Sequence, residues 1–399
     1  MRLPGGIERP AKAQSSGRKL VYLCDWLPPD FGAVGQYSML FARELAEEGW
    51  HVTLAGLSSS GESELVESLG SGSLRIVRLA AAPYDKTSFA QRLLWTARVN
   101  TRLVARLWRR MREADRIVFT GSPPLLLHWI APANLLLGKE LVYRITDFHP
   151  ECAIAQRGHA GIALGALYRL TVFWRRRVQR FEALGEDQVA RLAAIGIERG
   201  RIAIKRDPSP VTIDGDTRPL ARPPGSEGRL LLLYSGNWGV AHDYRTFLAG
   251  YRRHHESGRG RLVLWLNAVG AAVGPLARAL EAEGLPFVRG KPVPIEDLAS
   301  LLVTADAHLV TLHDAFVGFV LPSKIYGCIA SGKPVLFVGA EGSDVHLLSS
   351  RTLGDDYRRV EVGDEDGCAA ALDALARRID AAAGPVDAEC PAPPTGRPG

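Results

Sequence analysis

The chain has 399 residues, 46% of them apolar and 23% charged, with a formal net charge of +6. That is the composition of an ordinary globular protein of about two domains, and it excludes a disordered chain, a collagen-like repeat and a disulfide-dense mini-protein. Five scattered cysteines (Cys24, Cys152, Cys328, Cys368, Cys390) form no CxxC or CxxH spacing, so reduced thiols in a cytoplasmic compartment are expected and a structural zinc site is not.

Residues 1–18 carry Gly, Pro and Ser and lack the apolar stretch of a signal peptide; they are expected to be disordered. A first domain is then read over 19–205. Leu20 to Cys24 predicts a buried strand, ended by the Pro/Gly loop Asp25 to Gly35. A helix follows from Gln36 to Glu48, stopped by Gly49. Strands at Val52–Ala55, Leu74–Leu79, Arg116–Thr120 and Leu141–Ile145 alternate with helices, the pattern of a parallel sheet covered on both faces. The longest apolar stretch, Ser122 to Gly138, contains three prolines, His128 and Asn134. It falls short of the ~20 clean apolar residues of a membrane span and predicts a buried helix.

The positive charge is concentrated. Ser88 to Arg116 holds eight arginines against Glu113 and Asp115, with Trp95, Val99, Leu103, Leu107, Trp108 and Met111 recurring between them at helical spacing. Tyr168 to Arg180 repeats the pattern with Phe173, Trp174 and Arg175 to Arg177. Each helix alone reads equally well as a core stripe with a solvated basic face. Two in the same half favour an anionic surface, met by Arg98, Arg102, Arg106, Arg175, Arg176 and Arg177. No nucleic-acid-binding motif supports a nucleic-acid partner.

A Pro-rich, aperiodic stretch over 206–227 reads as a linker, and a second domain over 228–380 restarts the alternation. Strands are expected at Leu230–Tyr234, Leu262–Leu266, Ala307–Thr311 and Pro334–Val338, with helices over Asp243–His254 and Ile325–Ala330. The last helix is expected in this domain or packed back on the first; the tail, 381–399, is expected to be disordered.

In doubly wound folds function sits beyond the carboxyl ends of strands. After the first strand, Asp30, Gly32 and Gly35 precede a helix whose free N–H groups suit an acceptor or phosphate, although such glycines also make plain turns. Thr146-Asp147-Phe148-His149-Pro150-Glu151 crowds three ionisable groups at a strand end. It reads as a capped turn or as a substrate loop in which Asp147, His149 and Glu151 are base or charge-stabiliser candidates. Gly236, Asn237, Gly239 and His242 form a Gly turn before another helix, again either a turn or an anion site. The densest loop carries Asp314, Gly318, Pro322, Ser323 and Lys324. Lys324 falls in a first helical turn, where a cation opposes the helix dipole unless an anion shares the site.

Taken together these stretches resemble glycosyltransferase family 4. Trp26 to Gly35 is similar to the family's acceptor-side loop, and Thr120 to Pro124 with Thr146 to Glu151 resembles "tSPP…rDlwPE". Pro322 to Gly327 through Ser331 to Val335 resembles "PsKlfEymAaGkPV". The likeness covers about Lys19 to Leu348. It implies an α/β, GT-B fold of two facing Rossmann-like doubly wound domains with an interdomain cleft. It also implies sugar transfer from a nucleotide-diphosphate sugar to a hydroxyl of a glycan or lipid-diphosphate acceptor, with retention and without metal or other cofactor. Lys324 would stabilise the leaving phosphate. Gly236, Asn237, Gly239, His242, Asp314, Gly318, Pro322 and Ser323 would hold the donor, and Asp147, His149 and Glu151 would place the acceptor. If configuration inverts, one of these three is the general base. Gly327 stands where the family has its ribose-binding glutamate, and Asn237 and His242 stand where it has its Arg and Lys, so ribose and diphosphate recognition must differ. A sugar-nucleotide 2-epimerase and a non-catalytic glycan- or nucleotide-binding homologue remain alternatives. A lipid acceptor implies a cytoplasmic protein peripheral on the inner face of the membrane.

Overall fold

The structure, a computed structural model, describes residues 17–30, 32–82, 89–258 and 260–383. Expectations for Phe31, Cys390 and most of both chain ends lie outside the described residues. In chain order the first group of elements is β1 (Lys19–Trp26), α1 (Ala33–Glu47), β2 (His51–Ser58), β3 (Ser63–Leu69), β4 (Gly72–Ala80), α2 (Phe89–Glu113), β5 (Arg116–Thr120), α3 (Leu127–Leu137), β6 (Glu140–Ile145), α4 (Glu151–Arg157), α5 (Gly161–Arg175), β7 (Arg180–Ala183), α6 (Glu186–Ala194) and β8 (Ile202–Ile204). They build an eight-stranded sheet of order β3-β4-β2-β1-β5-β6-β7-β8, parallel except for the β3/β4 pair.

Alternation along β1 shows why the sheet is covered on both faces. Leu20, Tyr22 and Cys24 join one core with Tyr37, Phe41 and Ala42 of α1. Val21 and Leu23 join the other core with Val99, Leu103, Leu107 and Met111 of α2. Strand β3 is missing from the sequence reading because its SELVESL segment is mostly exposed and offers no buried stripe.

The second group is β9 (Leu230–Asn237), α7 (Arg245–Glu256), β10 (Leu262–Val269), α8 (Val273–Ala282), β11 (Phe287–Arg289), α9 (Ile295–Thr304), β12 (Ala307–Thr311), α10 (Lys324–Ala330), β13 (Val335–Val338), α11 (Asp344–Leu353), β14 (Tyr357–Val360) and α12 (Glu365–Ala383). Their six strands form a parallel sheet of order β11-β10-β9-β12-β13-β14. Helix α12 lies against α7, with Cys368, Leu372, Leu375 and Ala376 in the second sheet's core. It also carries regular structure to Ala383, past the expected end at 380.

The chain divides into two compact units, and the division does not follow chain order. The first unit takes the residues up to Pro210 together with Asp314–Tyr326 and Gly342–Val345; the second takes the rest. The expected second domain is therefore not one block. Within the first unit, Asp344 Oδ1 accepts the Glu186 N–H at 3.0 Å and Arg206 Nη2 at 2.8 Å, while Asp187 Oδ2 accepts the Asp344 N–H at 3.0 Å. These bonds satisfy donors at the starts of α6 and α11 that would otherwise be orphaned. The expected linker is likewise divided. Asp207 is buried on Arg144 in the first unit, whereas Val211, Ile213 and Leu220 pack on the second unit's core.

Candidate active site

The direction of strand order reverses between β1 and β5, so a crevice is expected beyond their carboxyl ends. Asp25 is the next-to-last residue of β1, Gly121 and Ser122 follow β5, and Asp147 follows β6. Gly121 leaves no room for a side chain: a Cβ there would stand 2.8 Å from the Asp147 carbonyl oxygen. Burial pushes the Asp25 carboxyl up to about 7, helped by the Asp147 charge and only partly offset by hydrogen bonds from backbone and Ser122. Burial likewise raises Asp147, against a lowering influence from His149. Two carboxylates that repel each other in a dry site favour a state in which one keeps its proton. Asp25 Oδ1 and Thr146 Oγ1 are buried without a hydrogen-bond partner among the described residues. The sequence reading passed over Asp25; its signal was an acid ending the first apolar strand, opposite the Asp147 loop.

Asp147 lines a cavity of about 150 Å3 inside the first unit, with Ala33 and Val34 of α1, Thr146, Leu321 and Ser323. Arg144 and Asp207 also line it. Arg144 is spent on the fold: it donates to Asp207 Oδ1 at 2.7 Å and Glu182 Oε2 at 3.0 Å and lies 4.1 Å over the Phe41 ring. Ser323 was expected on a donor site in the second domain. It reaches the Asp147 cavity because the 314–326 stretch belongs to the first unit. The Phe148 N–H donates to the Phe319 carbonyl at 3.0 Å, and Arg191 Nη2 donates to the Val317 carbonyl at 2.9 Å. Pro322 is buried, and Lys324 follows Ser323 as the first residue of α10, half-buried.

Other candidates have structural work instead. Glu151 is buried and paired with Arg175, whose Nη2 also meets the His149 carbonyl at 3.1 Å, so Glu151 is not available as a base. A Cβ at Gly35 would stand 1.7 Å from the Trp26 carbonyl oxygen, so this glycine lets α1 abut β1. Gly32 is the extended N-cap residue of α1. Asp30 is held by Ser59, whose N–H donates at 2.9 Å. Gly318 has φ +76° and packs against Asp187 and Arg191. Asp314 is exposed on a 3-10 turn near α4 and does not line the cavity.

In the second unit the corresponding reversal lies between β9 and β12. Gly236 has φ +104°, a conformation natural to glycine, and Asn237 closes β9 beside Gly239. His242 Nδ1 donates to the Thr311 carbonyl at 2.5 Å. That contact fixes the tautomer, leaving Nε2 an acceptor in the neutral ring, so His242 donates to a phosphate only when protonated. The Asp243 carboxylate accepts the Thr246 N–H at 2.9 Å and already caps α7, which weakens the expected anion site there.

The basic helices separate in the same way. Arg175 is fully buried and takes no part in a surface. Arg102 and Arg106 are exposed but paired with Glu62 and Glu64, and Arg176 donates to the Ile195 carbonyl. Arg177 stacks 3.5 Å over Phe173, and Arg98 is exposed. Helix α3 touches both α2 and α5, and all three expose large apolar side chains: Leu93, Leu94, Leu135, Leu136, Ile162 and Phe173. The stretch expected as a buried helix thus shows two leucines to solvent. Among the described residues no helix is long and apolar enough to cross a membrane, and no cluster of His, Cys, Asp and Glu could hold a metal ion.

Comparison with known proteins gives one curated relative and many shared folds. No protein-family model matches the chain. A probable glycosyltransferase, WbjE of Pseudomonas aeruginosa, is 23% identical over 254 residues; the match covers 62% of this chain and 63% of that protein, less than two thirds of its length. The crystal structure of Anabaena Alr3699/HepE in complex with UDP and glucose superposes with a TM-score of 0.57 at 12% identity, covering 92% of this chain and 94% of that one. A putative UDP-N-acetylglucosamine 2-epimerase from Listeria monocytogenes superposes at 0.53 and 13% identity, covering 90% and 87%. At these identities the likeness shows the fold, two parallel-sheet α/β domains of GT-B type.

Proposed function

We propose that this chain is a glycosyltransferase that moves a sugar from a UDP-sugar to a hydroxyl acceptor. The observation that carries the reading is the meeting of Asp147 and Ser323 on one cavity of the first unit. One belongs to the expected acceptor loop, the other to the stretch before Lys324, and the two lie far apart in sequence. The glycosyltransferase relative and the fold shared with a UDP complex point the same way.

In this reading the bond from the anomeric carbon to the diphosphate breaks as the acceptor oxygen attacks. Negative charge grows on the leaving phosphate, and Lys324 stabilises it; charge-aimed groups of this kind are usually the largest catalytic contribution. The acceptor proton passes to the departing phosphate on the same face, so configuration is retained and no metal is required. Asp147, with His149 beside it, holds the acceptor hydroxyl. Gly236 and Asn237 lie on the nucleotide side, with the ribose bound without a glutamate because position 327 is glycine. The acceptor is lipid-linked or a glycan. The α2-α3-α5 layer, with exposed leucines beside Arg98, docks the protein on an anionic membrane face on the cytoplasmic side.

A thermal-shift screen with UDP-, GDP- and dTDP-sugars, with Lys324→Ala alongside, tests the reading. A donor at 100 times its Kd adds about 2.7 kcal/mol of stability. Stabilisation by UDP-sugars alone, weakened in the variant, is the expected outcome; no response to any nucleotide sugar overturns it. The epimerase fold match favours a second reading, isomerisation. Release of UDP only when an acceptor is added separates transfer from isomerisation.

A further inference from the structure

A concavity of about 620 Å3 in the first unit lies at the end of the sheet opposite the Asp25/Asp147 site. Lys19 opens β1, His51 opens β2 and Ser73 lies at the start of β4, so the concavity sits at the amino ends of these parallel strands. An eight-residue strand at 3.3 Å per residue puts it about 25 Å from the carboxyl ends. Lys19, Arg75, Arg106, Arg109 and Arg110 line it, and among the described residues of the lining Glu113 is the one acid.

The carboxylates in reach do not balance these cations. Arg75, Arg106 and Arg110 converge on the single carboxylate of Glu64, with Arg110 Nη2 at 2.9 Å and Arg106 Nη2 at 3.3 Å. Arg109 and Lys19 share Glu113, at 3.3 and 3.8 Å. The five cations still outnumber the acids: two carboxylates pair with their side chains, and a third, that of Asp115, accepts the Lys19 backbone N–H at 2.8 Å. The dipole of α2 explains a cation such as Arg110 in its last turn, but not Lys19 and Arg75, which reach the same concavity from strands. Holding guanidinium groups together around one acid is unfavourable unless a further anion joins them, and their planar forks match phosphate oxygens. Arg106, Arg109 and Arg110 share one side of α2, while Leu103, Leu107 and Met111 on the other side fix it to the core. The cluster is thus carried by a packed helix and a paired sheet rather than by a loop.

We propose that this concavity is a binding site for a phosphorylated polyanion, a ligand with at least two phosphate groups, remote from the candidate active site. It does not depend on the proposed transfer reaction. The ligand's phosphates add to Glu64 and Glu113 as counter-charges, with Arg109 and Lys19 as its most accessible contacts; their side chains are 92% and 54% exposed.

Inorganic tripolyphosphate is titrated calorimetrically into the whole protein at low salt. Saturable one-site binding is expected, weakened at least about tenfold in Lys19→Ala/Arg109→Ala, since two charge-assisted contacts are lost. Arg112→Ala, exposed on the same helix but outside the lining, leaves it unchanged, and Glu64→Gln tightens it by removing the competing carboxylate. Both lining substitutions are at exposed positions, and equal melting temperatures confirm intact folds. Cardiolipin vesicles, whose lipid carries two phosphates, separate the sources. If the site takes a lipid headgroup, tripolyphosphate displaces the vesicles and the double variant loses both. If it takes a free anion, the double variant loses tripolyphosphate and keeps vesicle binding. Either outcome supports the site. Absent saturable binding, an unchanged double variant, or equal weakening by Arg112→Ala overturns it.

Discussion

Arg175 is fully buried and forms a two-pronged pair with the carboxylate of Glu151, 24 residues earlier in the chain. The pair pins the start of α4 to the end of α5 directly behind the Asp147 loop. Removing one partner strands a buried charge. Arg175→Ala should therefore lose about 3–5 kcal/mol in urea unfolding. Replacing both, as Arg175→Met with Glu151→Leu, should recover much of that loss, because no orphan charge remains.

Asp25, held at about 7, binds a proton in the folded chain where the unfolded chain has already lost it. Its contribution to stability is thus complete below about pH 4 and is lost as pH rises through 7. Asp187, raised to about 6, acts with the same sign. Unfolding free energy should fall by a few kcal/mol between about pH 4 and about pH 7.5, because a tenfold difference in proton affinity between folded and unfolded chains is worth about 1.4 kcal/mol. Asp25→Asn should flatten that fall without abolishing it. An equally steep profile in the variant would show that Asp25 titrates normally.

Gly35→Ala should destabilise by about 1–3 kcal/mol, because its Cβ meets a backbone oxygen that cannot rotate away. Gly32→Ala, whose Cβ would find its nearest neighbour at 3.7 Å, should cost less than about 1 kcal/mol. Chemical denaturation of the two single variants measures the contrast.

With a turnover assay in hand, Lys324→Ala should lower kcat about 10²–10³-fold, the usual loss for one charge-stabilising donor. Its effect on folding is read separately from the melting temperature. A variant that folds and turns over normally removes Lys324 from the chemistry.

Leu135→Ser with Leu136→Ser alters two exposed side chains and should move stability by less than about 0.5 kcal/mol per site. Flotation with phosphatidylglycerol vesicles should fall sharply in the same variant. Unchanged flotation would take α3 out of the docking surface.

Residues in direct sequence register were readable without coordinates. The runs Leu20–Cys24 and Leu230–Tyr234 lie within β1 and β9, and Ala307–Thr311 coincides with β12, because a short, continuous apolar run has few other ways to be buried. The loops after those strands were readable too, since glycine, proline and acids mark where a chain turns. What the tertiary structure decided is which of these groups meet and in what state. Glu151 and Asp147 look alike in one hexapeptide, yet Arg175 neutralises the first, while burial holds the second above the ordinary carboxyl range. Ser323 reads as part of the second half of the chain but shares a cavity with Asp147. Local periodicity encodes burial, a property of one segment. Desolvation and charge pairing are properties of neighbours, and only the fold determines the neighbours.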